Sequence, residues 1–201
     1  SMNAKITATG IQGHSAYPDR SNNPIVAMVK LLDKLVSHQL DAGTEHFDPS
    51  TLAITSVDTG NKASNVIPAV TKATINIRFN DSHSGSSLVS WLKDEIEKVS
   101  AEYGIKFKTD FKISGESFIT PPGELSDLIS KAVKQELGVT PKLSTTGGTS
   151  DARFIKDMCP VTEFGLVGKT MHAVDEKVET KQINQLKEIY TRILEAYFEK
   201  T

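Results

Sequence analysis

Val70-Thr-Lys-Ala-Thr-Ile-Asn-Ile-Arg-Phe-Asn80 alternates without a break: Ala73, Ile75, Ile77 and Phe79 share one face, and Lys72, Thr74, Asn76 and Arg78 share the other. A period of two held over this length is a strand with one buried and one open face, and it directs Arg78 away from the core. Upstream, Leu52 to Val57 reads as a second strand, parted from the first by the polar loop Asp58 to Pro68. Before it, Ile25, Val29, Leu32 and Val36 predict one helical face, opened by Asn23 as N-cap and Pro24 as first helical residue. Ala4, Ile6 and Ala8 alternate with Lys5, Thr7 and Thr9 in an initial strand. Downstream, Leu88, Leu92, Ile96, Val99 and Tyr103 predict a helix closed by Gly104; Ile105, Phe107, Phe111 and Ile113 then predict a last strand. The order β-α-β-β-α-β is the split βαβ, ferredoxin-like arrangement, so the fold class is α+β, with both helices on one face of an antiparallel sheet.

That rhythm ends near Ser114, and Gly115 to Gly123, with Pro121-Pro122 inside, reads as a crossing segment. Leu125, Ile129, Ala132, Val133 and Leu137 predict a helix ended by Gly138, followed by a short strand over Pro141 to Thr145 and a turn into a further helix near Phe154. Val161 to Val167 predicts a buried strand, and Ile183, Leu186, Tyr190, Ile193 and Tyr197 a final helix from Thr180. Strands separated by helices imply a parallel sheet covered on both sides, and two strands are too few to make one. The expectation is therefore a ferredoxin-like domain over residues 3–113 and, over 114–201, a segment of an α/β domain most of which is missing. Ser1 ahead of Met2 reads as a residue left by tag cleavage, and a strand beginning almost at once suggests a chain cut from a longer one.

With 201 residues, 23 Lys+Arg against 25 Asp+Glu and a net charge of −2, the chain has no basic block to neutralise phosphates, and no nucleic-acid partner is expected. The longest apolar run, Ile25 to Val29, is far below the ~18 residues of a membrane span, and no signal peptide is legible. Cys159 has no second cysteine to pair with, which fits a reducing cytoplasm and a small buried hydrophobe.

Chemistry is dispersed. Gly10-x-x-Gly13-His14 is a loop of small residues in which His14 is the one titratable side chain, an idle surface histidine or a functional one. Gly147-Gly148-Thr149-Ser150 lies between a strand and a helix, where backbone N–H groups can cradle an anion or simply close a tight turn. His172, followed by Asp175 and Glu176, has the setting of a metal ligand with acidic neighbours. Zinc in a hydrolase takes about three protein ligands per ion, and His38, His46 and His83 lie in segments without ligand-like partners.

Gly10-Ile-Gln-Gly-His-Ser-Ala-Tyr-Pro18, Ser64-Asn-Val-Ile-Pro68, Asn76-Ile-Arg-Phe79, Thr145-Thr-Gly-Gly-Thr-Ser-Asp-Ala-Arg-Phe154 and Met171-His-Ala-Val-Asp-Glu176 together resemble the dinuclear-zinc aminoacylase and carboxypeptidase family. The resemblance covers essentially the whole chain. Within the family, the Thr-Thr-Gly-Gly motif is most similar to the branch that hydrolyses N-succinyl-LL-2,6-diaminopimelate in lysine and cell-wall precursor synthesis. The alternatives are another deacylase, such as acetylornithine deacetylase, a carboxypeptidase, or a non-catalytic dimerisation and substrate-binding fragment. The resemblance makes residues 3–113 a dimerisation lid and 114–201 the C-terminal part of the catalytic domain. It implies a homodimer joined by ferredoxin-like lids and two zinc ions per subunit, for which cobalt can substitute. The N-terminal half, with most metal ligands and the general-base Glu, has no counterpart here, so the chain alone is expected to be inactive. Residue by residue, the resemblance makes His14 the lid histidine that stabilises the oxyanion in the partner's site. Asn65 becomes a substrate residue acting across the dimer, and Arg78 and Arg153 become carboxylate-binding arginines. Gly148 and Thr149 match substrate contacts, and His172 a zinc ligand. Gly168 departs from the pattern, because the family branch carries a substrate-contacting Asn there.

Overall fold

A computed structural model describes residues 1–146 and 150–199. The chain divides into two compact units, one of residues 1–118 with 145–146, the other of residues 119–144 with 150–199.

In the first unit, β1 (Met2–Thr9) pairs antiparallel with β5 (Val70–Arg78) on one side and β6 (Lys106–Ile113) on the other. The strand β3 (Thr51–Asp58) adds to the far side of β5, giving the order β3-β5-β1-β6. Two helices, α1 (Pro24–Ser37) and α2 (Gly85–Tyr103), pack against this sheet. The ferredoxin-like expectation is met strand for strand. Register follows burial: Met2, Ala4, Ile6 and Ala8 stand beside Ile77, Ile75, Ala73 and Thr71, all buried against the helices. Asn23 caps α1 by accepting the Ile25 N–H at 3.0 Å, ahead of Pro24. Ser84 caps α2 through the Ser87 N–H, and Gly104 ends it at φ 61°, a left-handed conformation that favours glycine.

The face expected for α1 is corrected. Ala27, Met28, Leu31, Leu32 and Leu35 face the core, whereas Val29 and Val36 are about half exposed. The helix is apolar on two sides, and periodicity alone cannot say which side the sheet takes.

A polar cluster holds the far end of β5. Asp41 accepts the Gly43 N–H (2.8 Å), the Ser50 N–H (3.1 Å) and the Asn80 side-chain amide (2.7 Å), with His83 Nε2 3.1 Å away. Burial pushes the Asp41 carboxyl up, but hydrogen bonds from the Ser50 side chain, the Gly43 and Ser50 backbone and Asn80 outweigh it and bring it down to about 2. Asp41→Asn removes an acceptor oxygen and the charge, with an expected loss of about 3 kcal/mol, the scale of one or two charge-assisted hydrogen bonds. Since the folded-state value lies below the ordinary one, this stabilisation is complete above pH about 4 and lost as pH falls through about 2. The difference in thermal unfolding between wild type and Asp41→Asn should therefore shrink across that window.

The second unit contains α3 (Glu124–Leu137), the short α4 (Ala152–Ile155) and α5 (Thr180–Phe198). The first unit's remaining strands are β2 (Gly13–His14) and β4 (Val66–Ile67), which pair with each other, and a 3-10 turn spans Pro18–Arg20. Ile129, Ala132 and Val133 of α3 pack on Ile189 and Ile193 of α5. Ile183, Tyr190 and Tyr197, expected on the buried face of α5, are exposed, and Ile189 takes their place. The strands expected at 141–145 and 161–167 do not form among the described residues. A strand needs a neighbour to receive its N–H and C=O groups. With none beside them, both segments stay irregular and Leu143, Leu166 and Val167 remain exposed.

Candidate functional site

The loop that follows β1 owes its shape to two glycines. A Cβ on Gly10 would lie 2.0 Å from the Asn22 carbonyl oxygen, and one on Gly13 would lie 2.6 Å from Ser21 Cβ. Their absence lets residues 10–14 lie flat against 21–22, with Ile11 and Asn22 exchanging backbone hydrogen bonds. Gly13 and His14 then pair with Ile67 and Val66, and the Ser15 N–H donates to the Asn65 carbonyl at 3.0 Å. His14 and Asn65, fifty-one positions apart, are thus brought side by side on a two-stranded ribbon.

The imidazole of His14 is exposed and oriented. The Ala16 N–H donates to its Nδ1 at 3.0 Å, so a neutral ring carries its proton on Nε2, on the side away from the loop. Its ring lies 5.8 Å from that of Tyr17, over which the Arg20 guanidinium sits at 4.9 Å. Sequence reasoning missed this support. The Ala16 contact is a backbone donor two residues on, a turn geometry without a residue signature.

Arg78 stands at the opposite end of the sheet. Its Nε donates to Asn76 Oδ1 at 3.1 Å, and Asn76 in turn donates to Asn3 Oδ1 at 2.9 Å, which fixes the guanidinium on the open face. The nine residues of β5 span eight steps, about 27 Å at ~3.4 Å each, with Arg78 at one end and at the other Val70, which follows the Val66–Ile67 partner of the His14 ribbon. The structure therefore does not bring Arg78 together with His14 and Asn65.

In the second unit, Arg153 Nη1 donates to the Ser150 carbonyl at 2.8 Å and its guanidinium lies 4.3 Å over the Phe154 ring. Among the described residues its Nε is buried without a partner. Gly148 and Thr149 lie outside the described residues. His172 is exposed with φ 59°, and its N–H donates to Glu176 Oε2 at 3.3 Å; Asp175 also has a positive φ, 60°. Among the described residues no three His, Cys, Asp or Glu side chains gather to hold a metal ion. His172 can supply one imidazole, and the residues present do not complete a zinc site. At position 168 a Cβ would lie 2.7 Å from Met171 Cε, so the Asn of the family branch would require the exposed Met171 to move. Cys159, expected to be buried, is exposed.

The family model for a peptidase dimerisation domain matches residues 1–104. The succinyl-diaminopimelate desuccinylase of Ruegeria pomeroyi is 63% identical over 198 residues, covering 98% of this chain and 52% of the relative. The protein of the same name from Dinoroseobacter shibae is 60% identical over the same span. The chain spans about half the length of the curated relatives it matches. Among solved structures, a Staphylococcus aureus tripeptidase aligns with a TM-score of 0.77 at 20% identity, over 96% of this chain and 50% of that one. The dipeptidase Dug1p of Saccharomyces cerevisiae aligns at 0.78 and 16%, over 98% and 54%. Those two likenesses concern the fold.

Proposed function

The chain belongs to the peptidase dimerisation domain family, and from that premise we propose that it is the lid and C-terminal portion of a metal-dependent desuccinylase. The reaction is hydrolysis of the amide in N-succinyl-LL-2,6-diaminopimelate to succinate and LL-diaminopimelate. Identity of 63% to a desuccinylase, running through both units, carries the reading. Residues 3–113 are the dimerisation lid and 114–201 the C-terminal part of the catalytic domain. His172 supplies one metal-ligating imidazole, and zinc, with cobalt as a substitute, is the metal of the whole enzyme. The setting is the cytoplasm.

This chain's own residues bind and polarise. Nε2–H of His14 is an oriented donor for the oxygen that gains negative charge as the amide carbonyl becomes tetrahedral. Arg78 and Arg153 bind carboxylates through planar guanidinium forks, and Asn65, Gly148 and Thr149 complete the substrate contacts. Strand β5, about 27 Å long, runs from Val70, four residues after the His14 partner Val66, to Arg78, a span longer than one small substrate, which supports His14 and Arg78 serving two different sites. A homodimer in which His14 and Asn65 reach into the partner's site meets that geometry.

The two sheet edges differ in a way that supports a specific dimer. The edge strand β6 carries Lys106, Lys108 and Lys112, the charges that keep an edge from pairing. The edge strand β3 has no lysine and leaves Ile54 and Val57 exposed, and beside it α1 exposes Val26, Val29 and Val36. The second apolar side of α1 thereby acquires a use: with β3 it forms the surface that meets a second copy across a two-fold axis.

The 201-residue chain by itself is expected to show no hydrolysis of N-succinyl-LL-2,6-diaminopimelate and weak metal binding, whereas a polypeptide of the relatives' full length hydrolyses it in preference to acetylated substrates. Succinate release followed by calorimetry or coupled assay checks both. Turnover by the short chain, or a preference of the long one for acetylornithine, overturns the reading.

A further inference from the structure

Alternation along the four strands sorts the charges of the first unit. Lys5, Lys72, Arg78, Lys106, Lys108 and Lys112 all lie on the face of the sheet turned away from the helices, and all are exposed. Only Asp58 and Asp110 share that face, which therefore carries a net charge of +4 on a chain whose total is −2. The rest of the unit is acidic, with Asp94, Glu95, Glu97 and Glu102 on α2 alone. Among the described residues, the five lysines of the open face make no ion pair. Neighbouring strands are about 4.8 Å apart and alternate residues about 7 Å apart, within the ~8 Å Debye length at physiological salt, so the potentials of these cations add.

Edge protection accounts for the lysines of β6. It does not account for Lys5 and Lys72, which stand on the central strands β1 and β5. Between the cations lie Thr7, Thr9, Thr74, Asn3 and Asn76, short polar side chains that leave the surface flat and wet. No aromatic side chain stands on this face of β1, β5 or β6, so there is no platform on which nucleic-acid bases could stack.

We propose that the open face of the sheet is an electrostatic collecting surface for a small polycarboxylate, which it concentrates and passes toward Arg78. The inference rests on the desuccinylase reading for its substrate class: N-succinyl-diaminopimelate has three carboxylates and one ammonium group, a net negative charge suited to a +4 field. Such a surface accelerates capture without touching the reacting atoms. Its signature is a loss in kcat/KM that salt abolishes.

Two experiments test it, one independent of catalysis. In the first, the 15N-labelled 201-residue chain is titrated with propane-1,2,3-tricarboxylate, with its neutral triamide as control, at low salt and at about 0.5 M salt, where the Debye length falls to roughly 4 Å. Backbone amides of Lys5, Thr7, Lys72, Thr74 and Lys108 should shift with the tricarboxylate alone, and the shifts should vanish at high salt. Shifts that are absent, that fall on the helix side, or that a short RNA produces at lower concentration overturn the proposal. In the second, the full-length enzyme carrying Lys5→Gln, Lys72→Gln and Lys108→Gln should lose about tenfold in kcat/KM at low salt and converge with wild type at high salt, a scale set by known steering effects. Lys30→Gln with Lys93→Gln, on the helix side, should not change it. An active wild type matched by the triple variant at every salt concentration overturns the collecting surface alone. A wild type inactive on the succinylated substrate overturns the desuccinylase reading, and the titration then still decides whether the face gathers polycarboxylates.

Discussion

His14→Ala in the full-length enzyme is expected to lower kcat by about 10²–10³, the usual loss for one oxyanion donor, with metal content and oligomeric mass unchanged. The side chain is exposed and its ring supports no core contact, so truncation leaves the fold intact. The Ala16 N–H holds Nδ1, which leaves Nε2–H as the donor, and a hydrogen bond to a developing oxyanion strengthens toward the transition state. The loss therefore belongs in kcat more than in KM. Mixed dimers decide where the histidine works. Combining His14→Ala subunits with subunits inactivated at the general base gives heterodimers holding one site with an intact base and the partner's intact His14. About half of a normal dimer's activity should return in that species. No recovery after verified subunit exchange means that His14 serves its own subunit.

Val29→Lys with Val57→Lys is expected to convert the dimer to a monomer and to reduce hydrolysis at least as far as His14→Ala does. Both side chains are about half exposed in the chain, 54% and 52%, so the substitutions cost the fold little. Across a two-fold axis each lysine would meet its own copy or an apolar neighbour, and an edge strand so charged no longer accepts another strand. Under the proposed trans role activity falls with assembly, since a monomer would have no partner to lend His14 and Asn65. Light scattering reads the mass, far-UV circular dichroism the fold, and succinate release the activity. A persistent dimer removes β3 and α1 from the interface. A folded monomer with full activity removes the trans role of His14.

Much of this was legible in the residues because periodicity and punctuation are local. Ala73, Ile75 and Ile77 announce a half-buried strand whatever surrounds them, and Asn23-Pro24 and Gly104 mark helix ends through their own side chains and backbone freedom. The motif residues His14, Asn65, Arg78, Arg153 and His172 were likewise named from sequence. Their chemical types limit what each can do, and nothing in the chain had to be folded to recognise them.

What the tertiary structure decided depends on partners far away in the chain. α1 offers two apolar sides, and the sheet, through contacts with β1 and β5, took the one carrying Met28, Leu31 and Leu35 while Val29 and Val36 were left outside. Residues 141–145 and 161–167 have the composition of strands and do not become strands here, since a ladder needs two paired segments and, among the described residues, neither of them pairs with another. The meeting of Asp41 with Asn80 and His83, the placing of His14 beside Asn65, and the collection of six cations on one face all arise from the register of strands distant in sequence. A sequence states which face of an element is apolar or charged; which other element it meets is fixed only when the chain closes on itself, because contact energy belongs to pairs.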